Sequence, residues 1–304
     1  MKIPQLRAHL ALFLVNTFYG ANHVIAKGIM PTILTPNVFI FLRAAGATSL
    51  FWLIHLFRKN REKIARKDLP RLAACGLFGV AINQLFFFHG LNLSSAINSG
   101  IIMTLNPIMV VILSYFILKE AITTYRVVGI MLGATGAILL TISSSSRSSE
   151  LALGDLFLLI NAASYAIYLV IAKPLMTKYK PLTVITYTFL FGFLFVLLFP
   201  PTIGDLFQTD FSLLTGVVLG KVLYVIIGVT FLAYLLTMYG LSKLSPSVSS
   251  AYIYLQPVLV IFFAIFFAYI GFTEDYTHTI TQQKMLYMLL IFVGVYVTSL
   301  KKKV

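Results

Sequence analysis

The sequence contains little charge and almost no cysteine. Asp, Glu, Lys and Arg make up 11% of its 304 residues, less than half of the roughly 25% that is usual in soluble domains. So few charges cannot cover the surface of a water-soluble globular protein, and a disordered chain has a more polar composition than this one. The single cysteine, Cys75, excludes an intrachain disulfide framework and a cysteine-based metal site. The sequence also lacks a phosphate-binding loop, a Gly-rich dinucleotide motif and a metal-ligand cluster, so we expect no cofactor and no use of ATP.

Long hydrophobic runs take the place of the missing charge. Hydrophobic residues make up 59% of the chain, and its mean hydropathy is +0.94. A helix that crosses a bilayer needs about 20 mostly apolar residues. Runs of this kind lie at 8–27, 36–57, 71–91, 96–118, 125–143, 153–173, 181–199, 216–240, 246–270 and 284–300. The sequence therefore predicts an all-α polytopic membrane protein with ten transmembrane helices, embedded in a lipid bilayer.

The basic residues are unevenly distributed between the loops. The chain has 23 Lys and Arg residues and a formal net charge of +14. If the N-terminus is cytoplasmic, most of them fall on the cytoplasmic side, and the densest block lies at 58–71, between the second and third runs. This distribution is the positive-inside bias of membrane proteins rather than a nucleic-acid patch. It predicts that both termini are cytoplasmic, that the chain lies in the cytoplasmic (inner or plasma) membrane, and that no nucleic acid is a partner.

The two halves of the chain resemble each other. Val-Ile-Ala-Lys occurs at 24–27 and 170–173, Gly-Leu at 90–91 and 240–241, and an amide residue followed by proline at 106–107 and 256–257. Several identities at nearly one offset, about 150 residues, indicate a duplication. The units 1–143 and 153–300 each hold five runs, and because five is odd the second unit enters the membrane inverted. Inverted five-helix repeats are typical of secondary transporters.

Residues 83–120 carry a recognisable pattern. They read NQLFFFHGLNLSSAINSGIIMTLNPIMVVILSYFILKE: an aromatic-rich helix end with Gly, a Ser/Ala-rich turn, a helix with a central Pro, and Lys-Glu. This pattern resembles the signature of EamA-type members of the drug/metabolite transporter superfamily, and the second half repeats it more loosely. Arg43 matches an Arg often found in the family's second helix, although the second half has no counterpart. The resemblance implies ten helices in two inverted repeats and the transport or export of small metabolites.

Polar residues inside the runs are candidates for the substrate path, because polar groups that face lipid are costly. In the first and sixth runs they recur at helical spacing on one face. The alternative is hydrogen bonding between helices, which contributes about 0.6 kcal/mol on average. The candidates are Asn16, Tyr19, His23, Arg43, Asn83, Gln84, Asn106, Tyr165, Tyr168, Tyr252 and Gln256.

The charged residues inside the runs are basic. No carboxylate lies near the middle of any run, so His23 is the main titratable candidate. Arg43 lies roughly 10 Å into its run at 1.5 Å per residue. We expect it to meet either helix carbonyls or the anionic group of a substrate.

Prolines and glycines mark two further features. Pro107 and Pro257 lie near the middle of their runs, where a proline frees the carbonyl four residues earlier, here Met103 and Ile253. At matching positions of two repeats they predict gating kinks beside the cavity, and a kink that only improves packing is the alternative. Glycines at 129, 133 and 136 predict a face for close helix contact, through which a homodimer could also form.

The sequence favours one function over three others. It predicts a secondary transporter, not an enzyme, that carries small organic metabolites such as amino acids by alternating access, in the direction of export. A nucleotide-sugar or sugar-phosphate exchanger is the alternative within transport, and it needs a more cationic cavity. A membrane-embedded enzyme needs a polar catalytic cluster at one depth, which the sequence does not show. A membrane receptor or structural protein needs a sensing domain or long tails.

Overall fold

The structure of the chain is a computed structural model, which describes residues 3–30, 32–59, 61–94, 96–142, 149–271 and 282–300. Within these ranges every regular element is helical and no strand occurs. The α-helices are α1 (Ile3–Lys27), α2 (Pro36–Phe57), α3 (Leu69–Gly76), α4 (Ile82–Leu93), α5 (Ala96–Ile102), α6 (Asn106–Leu118), α7 (Thr124–Ile142), α8 (Ser149–Ala172), α9 (Pro181–Leu197), α10 (Pro200–Gln208), α11 (Gly216–Tyr224), α12 (Ala233–Lys243), α13 (Pro246–Ala251), α14 (Gln256–Tyr269) and α15 (Gln282–Ser299). The predicted all-α class is confirmed.

Several helical segments are long and apolar enough to cross a membrane. Five qualify in the described part of the chain: Pro36–Phe57, Arg66–Leu93, Ala152–Thr177, Gly216–Lys243 and Pro246–Tyr269. A sixth is obtained if α9 and α10, which meet at a bend of 74°, count as one broken span. The protein is therefore a multi-pass membrane protein.

The ten-span layout of two inverted repeats stays a prediction. The long helix α1 is not among the five segments, because Asn16, Asn22 and His23 lower its hydropathy. The apolar helices Met103–Leu118 and Met285–Thr298 are shorter than a full crossing. The run 125–143, which forms α7, is not among the five segments either, and the run 181–199 qualifies only together with α10.

The same helix irregularities occur in both halves of the chain. A π-helical segment, Leu77–Ala81, joins α3 to α4, and a second one, Val225–Leu232, joins α11 to α12. A 3₁₀ turn, Met103–Leu105, joins α5 to α6, and Tyr252–Leu255 joins α13 to α14. Such interruptions of helices are frequent at functional sites. All four lie in the helices that surround the central cavity described below.

The two central prolines follow the 3₁₀ turns directly. Pro107 and Pro257 lie in the first turn of α6 and α14, where a helix does not need their missing N–H. The prediction that the carbonyls of Met103 and Ile253 are free was wrong. Each accepts a hydrogen bond from a residue three positions later, Asn106 or Gln256, because the 3₁₀ bond replaces the α-helical bond that proline cannot make.

Two lysines hold helix ends at corresponding places. The Lys27 Nζ, at the end of α1, donates three hydrogen bonds of 2.8–2.9 Å to carbonyl oxygens at the end of α4. The Lys173 Nζ, just after α8, donates two of 2.6 and 2.8 Å to carbonyl oxygens at the end of α12. The acceptors are Leu91, Asn92, Ser94, Leu241 and Leu244. A cation at a helix C-terminus also complements the helix dipole.

Helices α7 and α15 pack with almost no space between their backbones. A Cβ atom placed on Gly129 would lie 2.5 Å from the Thr298 backbone nitrogen and 2.7 Å from the Gly294 oxygen. One placed on Gly294 would lie 2.5 Å from the backbone nitrogen of Gly133. The close packing predicted for this glycine face is present, and it is made within the chain. Since α15 covers the face, these glycines are not an open dimer surface, and the homodimer remains a prediction.

Candidate functional site

A polar cavity lies between helices from both halves of the chain. Its volume, counted over the positions that the centre of a water molecule can take, is about 70 Å³, which is room for about five waters. The cavity is lined by Tyr19, Asn22, His23, Arg43, Asn83, Gln84, Phe87, Phe88, Met103, Asn106, Asn161, Tyr165, Val229, Tyr234, Ile253 and Gln256. No Asp or Glu is among these lining residues, although uncharged amide and hydroxyl groups are numerous.

Most of the candidate residues meet in this cavity. Those that line it are Tyr19, His23, Arg43, Asn83, Gln84, Asn106, Tyr165 and Gln256. Asn16 lines a smaller pocket beside it, which shares Tyr19 and Tyr165 with the main cavity. The Asn16 Oδ1 accepts a hydrogen bond of 3.0 Å from the Gln256 Nε2. Asn16 thus holds a cavity residue in place.

Two candidates lie away from the cavity. Tyr168 is fully buried, and its hydroxyl donates to the Met238 sulfur at 3.4 Å. Its ring packs against Gly79, where a Cβ atom would lie 2.5 Å from the ring. The Tyr252 hydroxyl lies 2.6 Å from the His9 Nδ1. Tyr168 therefore packs in the core, and Tyr252 joins the start of α1 to the 3₁₀ turn before α14.

Further polar and aromatic residues complete the lining of the cavity. Asn161 and Tyr234 support the wall, because the Asn161 Nδ2 donates to the Asn83 backbone oxygen at 2.6 Å and the Tyr234 hydroxyl lies 3.1 Å from the Asn83 Oδ1. Asn22 lies directly before His23, and Phe87 and Phe88 form an apolar side. Asn161 lies one helical turn before Tyr165, on the polar stripe that the sequence predicts for the sixth run.

Arg43 is a buried cation without an anionic partner in the described ranges. Its side chain is 3% exposed, and its Nε donates to the Thr230 Oγ1 at 2.9 Å. Thr230 donates in turn to the Val225 carbonyl at 2.8 Å, five residues earlier in the π-helical segment. The guanidinium carbon lies 4.4 Å from the centre of the Phe88 ring. This cation–π contact offsets part of the free-energy cost of burying the charge. The cost that remains favours the binding of an anion beside Arg43.

The amide side chains leave hydrogen-bonding atoms unused. The Asn106 Nδ2 donates to the Ala162 carbonyl at 2.7 Å, but its Oδ1 has no partner. The oxygens of Asn22 and Gln256 and both amide atoms of Gln84 are also buried without a partner. Buried polar atoms are almost always hydrogen-bonded. Their grouping around one cavity indicates that a ligand or water satisfies them there.

His23 is joined to a serine on α5. Its Nδ1 lies 2.5 Å from the Ser99 Oγ, and the Ser99 hydroxyl donates to the Ala96 carbonyl at 2.7 Å. The ring of Phe87 meets the imidazole edge-on, with ring centres 5.1 Å apart. These contacts fix the imidazole at the wall of the cavity.

Comparisons with known proteins agree with one another. The model of the EamA-like transporter family matches residues 6–142 and again residues 152–300. An "Uncharacterized transporter" of Archaeoglobus fulgidus is 30% identical over 250 residues, which cover 82% of this chain and 86% of that protein. The "Uncharacterized transporter YetK" of Bacillus subtilis is 25% identical and covers 84% of this chain and 77% of that protein. A crystal structure with 19% identity superposes with a TM-score of 0.71 over 97% of this chain and 96% of the other, which supports the fold alone.

Proposed function

The chain belongs to the EamA-like transporter family, and from that premise we propose that it is a secondary transporter of small organic metabolites such as amino acids. It exports them across the cytoplasmic membrane by alternating access. The observation that carries the proposal is the central cavity. In it Arg43, which has no anionic partner among the described residues, and unused amide groups surround a space with room for about five waters.

The chemistry of the lining suits a zwitterion. The guanidinium of Arg43 binds a carboxylate, since it is a cation with donors to spare. The unused oxygens of Asn22, Asn106 and Gln256 accept hydrogen bonds from an ammonium group. A nucleotide sugar or sugar phosphate carries more negative charge, and Arg43 is the only Lys or Arg among the cavity-lining residues. Amino acids are therefore favoured over phosphate esters.

Alternating access rests on the proposed arrangement of ten spans in two inverted repeats. Three observations support it: the paired π-helical and 3₁₀ segments, the paired lysines at helix ends, and the family model that matches the chain twice. In such a transporter the two halves exchange conformations around a central site. The charge bias of the loops supports cytoplasmic termini.

Uptake into proteoliposomes tests the proposal. Purified protein is reconstituted and offered pools of labelled amino acids, sugars, nucleotides and organic acids, and protein-free liposomes serve as the control. We expect saturable uptake from the amino-acid pool, and exchange against unlabelled compound loaded inside. Folded and correctly inserted protein that takes up nothing from any pool would remove the proposal. Saturable uptake of nucleotides or sugar phosphates alone would replace it with the exchanger.

A further inference from the structure

The 58–71 segment, which joins α2 to α3, turns its two acidic side chains toward the protein. The Glu62 carboxylate accepts a hydrogen bond of 2.7 Å from the Thr183 hydroxyl. The Asp68 carboxylate is buried and forms an ion pair of 2.9 Å with Lys178. Both partners belong to the second half of the chain, so the segment is tied across the two halves. Neither carboxylate is left to neutralise the basic residues of the segment.

The basic side chains of the same segment face outward. Six of the seven are exposed and one is partly exposed. Within the part of the chain that the structure describes, none of them takes part in an ion pair. They are Arg58, Lys59, Arg61, Lys63, Arg66, Lys67 and Arg71. Since charges of one sign repel each other, an anionic partner stabilises this surface.

This cationic surface adjoins the lipid-facing end of α2. Helix α2 is one of the segments apolar enough to cross a membrane, and it ends at Phe57, directly before the segment. Its last turns expose large apolar side chains, among them Leu53 at 53% and Phe57 at 81%. The segment therefore begins where the helix leaves the hydrocarbon, at the depth of the lipid headgroups. Basic clusters in this position attract anionic lipids.

We propose that the outward face of the 58–71 segment binds the phosphate groups of anionic phospholipids in the membrane that holds the protein. The proposal goes beyond transport and does not depend on what the central cavity binds. The positive-inside rule needs only the number of basic residues. The turning of both carboxylates away from them is an additional feature, and it leaves a surface of one sign. A lipid is favoured over a soluble polyanion, because the apolar end of α2 contacts its acyl chains.

The chain carries its own reporter beside this surface. Trp52 is its only tryptophan, and it lies six residues before Arg58, or about 9 Å deeper at 1.5 Å per residue. Its ring meets that of His55, with centres 5.5 Å apart. Arg58 and Arg61 lie close enough to His55 to act on it electrostatically. The fluorescence of Trp52 therefore indicates which lipid lies below the proposed site.

The test uses bilayers with equal amounts of phosphatidylglycerol and phosphatidylcholine, one of which is brominated in the upper part of its acyl chains. Bromine quenches tryptophan fluorescence on contact. We expect phosphatidylglycerol to be preferred at Trp52 by about fivefold, the effect of about one basic residue on an anionic surface. The R58Q/K59Q/R61Q protein should lose the preference. The control is K301Q/K302Q/K303Q, which removes the same charge from the end of the sequence and should keep it.

Each outcome decides for or against the site. Equal quenching by the two lipids in the wild type would overturn the proposal, as would an undiminished preference in R58Q/K59Q/R61Q. An equal loss of preference in the control would overturn it too, because net charge alone would then account for the effect.

A second measurement needs only the wild type, so it does not depend on the folding of a variant. Raising the salt concentration from about 0.01 to 1 M shortens the Debye length from about 30 to 3 Å, and the preference should disappear. A preference that salt does not change would overturn the proposal. Neither measurement involves transport, so failure of the lipid site and failure of the proposed function remain distinguishable.

Discussion

Replacing Arg43 with glutamine should weaken recognition of the substrate carboxylate while leaving the fold intact. A hydrogen bond to a charged group contributes about 1.5–3 kcal/mol, so its loss should weaken binding of L-phenylalanine about 10- to 150-fold. Lysine at the same position keeps the charge but not the planar fork of donors. R43K should therefore fall between the wild type and R43Q.

The expected effect on folding is small, which is unusual for a buried arginine. Removing one partner of a buried ion pair leaves the other charge uncompensated and costs about 3–5 kcal/mol. Arg43 has no such partner within the described residues. The R43Q protein loses one hydrogen bond to Thr230 and a cation–π contact with Phe88. The contact contributes about 2 kcal/mol, and relief from burying an unpaired charge offsets it. Membrane abundance and thermal stability in detergent should stay close to those of the wild type.

A pair of ligands makes the assay specific for the carboxylate. L-phenylalaninamide has the ring and the ammonium of L-phenylalanine but lacks its carboxylate. Wild-type protein should bind L-phenylalanine the more tightly of the two, and the R43Q protein should lose this preference. If R43Q preserved the preference by the same factor, Arg43 would not be the carboxylate site. If R43Q failed to fold, the guanidinium would have a structural role that its contacts do not account for.

Three further predictions concern packing, helix ends and gating. Gly129→Ala should destabilise the protein by about 1–3 kcal/mol, because backbone atoms of α15 fill the space of a methyl group. The control is Gly220→Ala, where a Cβ atom would have nothing within 4 Å. Equal melting temperatures of the two variants would contradict the close packing of α7 on α15. Lys27→Met and Lys173→Met should each slow transport without changing substrate affinity, since both ammonium groups bind helix ends outside the cavity lining. A change in substrate affinity, measured by equilibrium binding, would instead place the two lysines in the substrate site. Pro107→Ala should slow turnover more than it lowers membrane abundance, because alanine allows a continuous α-helix where the 3₁₀ turn now lies; normal turnover would argue against a gating role.

The fold class follows from composition, but the interruptions of the helices do not. The second hydrophobic run, 36–57, coincides with α2, because an apolar run between polar loops has clear ends. The π-helical segment at Leu77–Ala81 is different, since its sequence is that of an ordinary apolar helix. Its extra residue per turn is stabilised by tertiary contacts, which local sequence does not reveal. The 74° bend between α9 and α10 accompanies the two prolines at 200 and 201, but a bend angle cannot be obtained from them.

The candidate site was predictable as a set and not residue by residue. The cost of exposing polar groups to lipid indicated the right helices, so Tyr165 and Asn106 were found. Helical periodicity did not separate Tyr165 from Tyr168, three residues later, because a broad polar stripe includes both. Only the packing of α8 against Gly79 shows that Tyr168 lies in the core. Ser99 was missed because a serine in an apolar helix commonly bonds its own backbone, and its contact with His23 spans 76 residues of sequence.

The contact between α7 and α15 has a consequence for the synthesis of the protein. Gly133 and Gly294 meet across the interface but are translated about 160 residues apart, which at 5–20 residues per second separates them by roughly 10–30 s. During that interval the nascent chain presents the bare backbone groove of α7 to lipid or to the insertion machinery. A ribosome stalled before α15 should therefore hold an intermediate in which this groove can be crosslinked to an insertase or to lipid, and the crosslink should disappear once α15 has emerged.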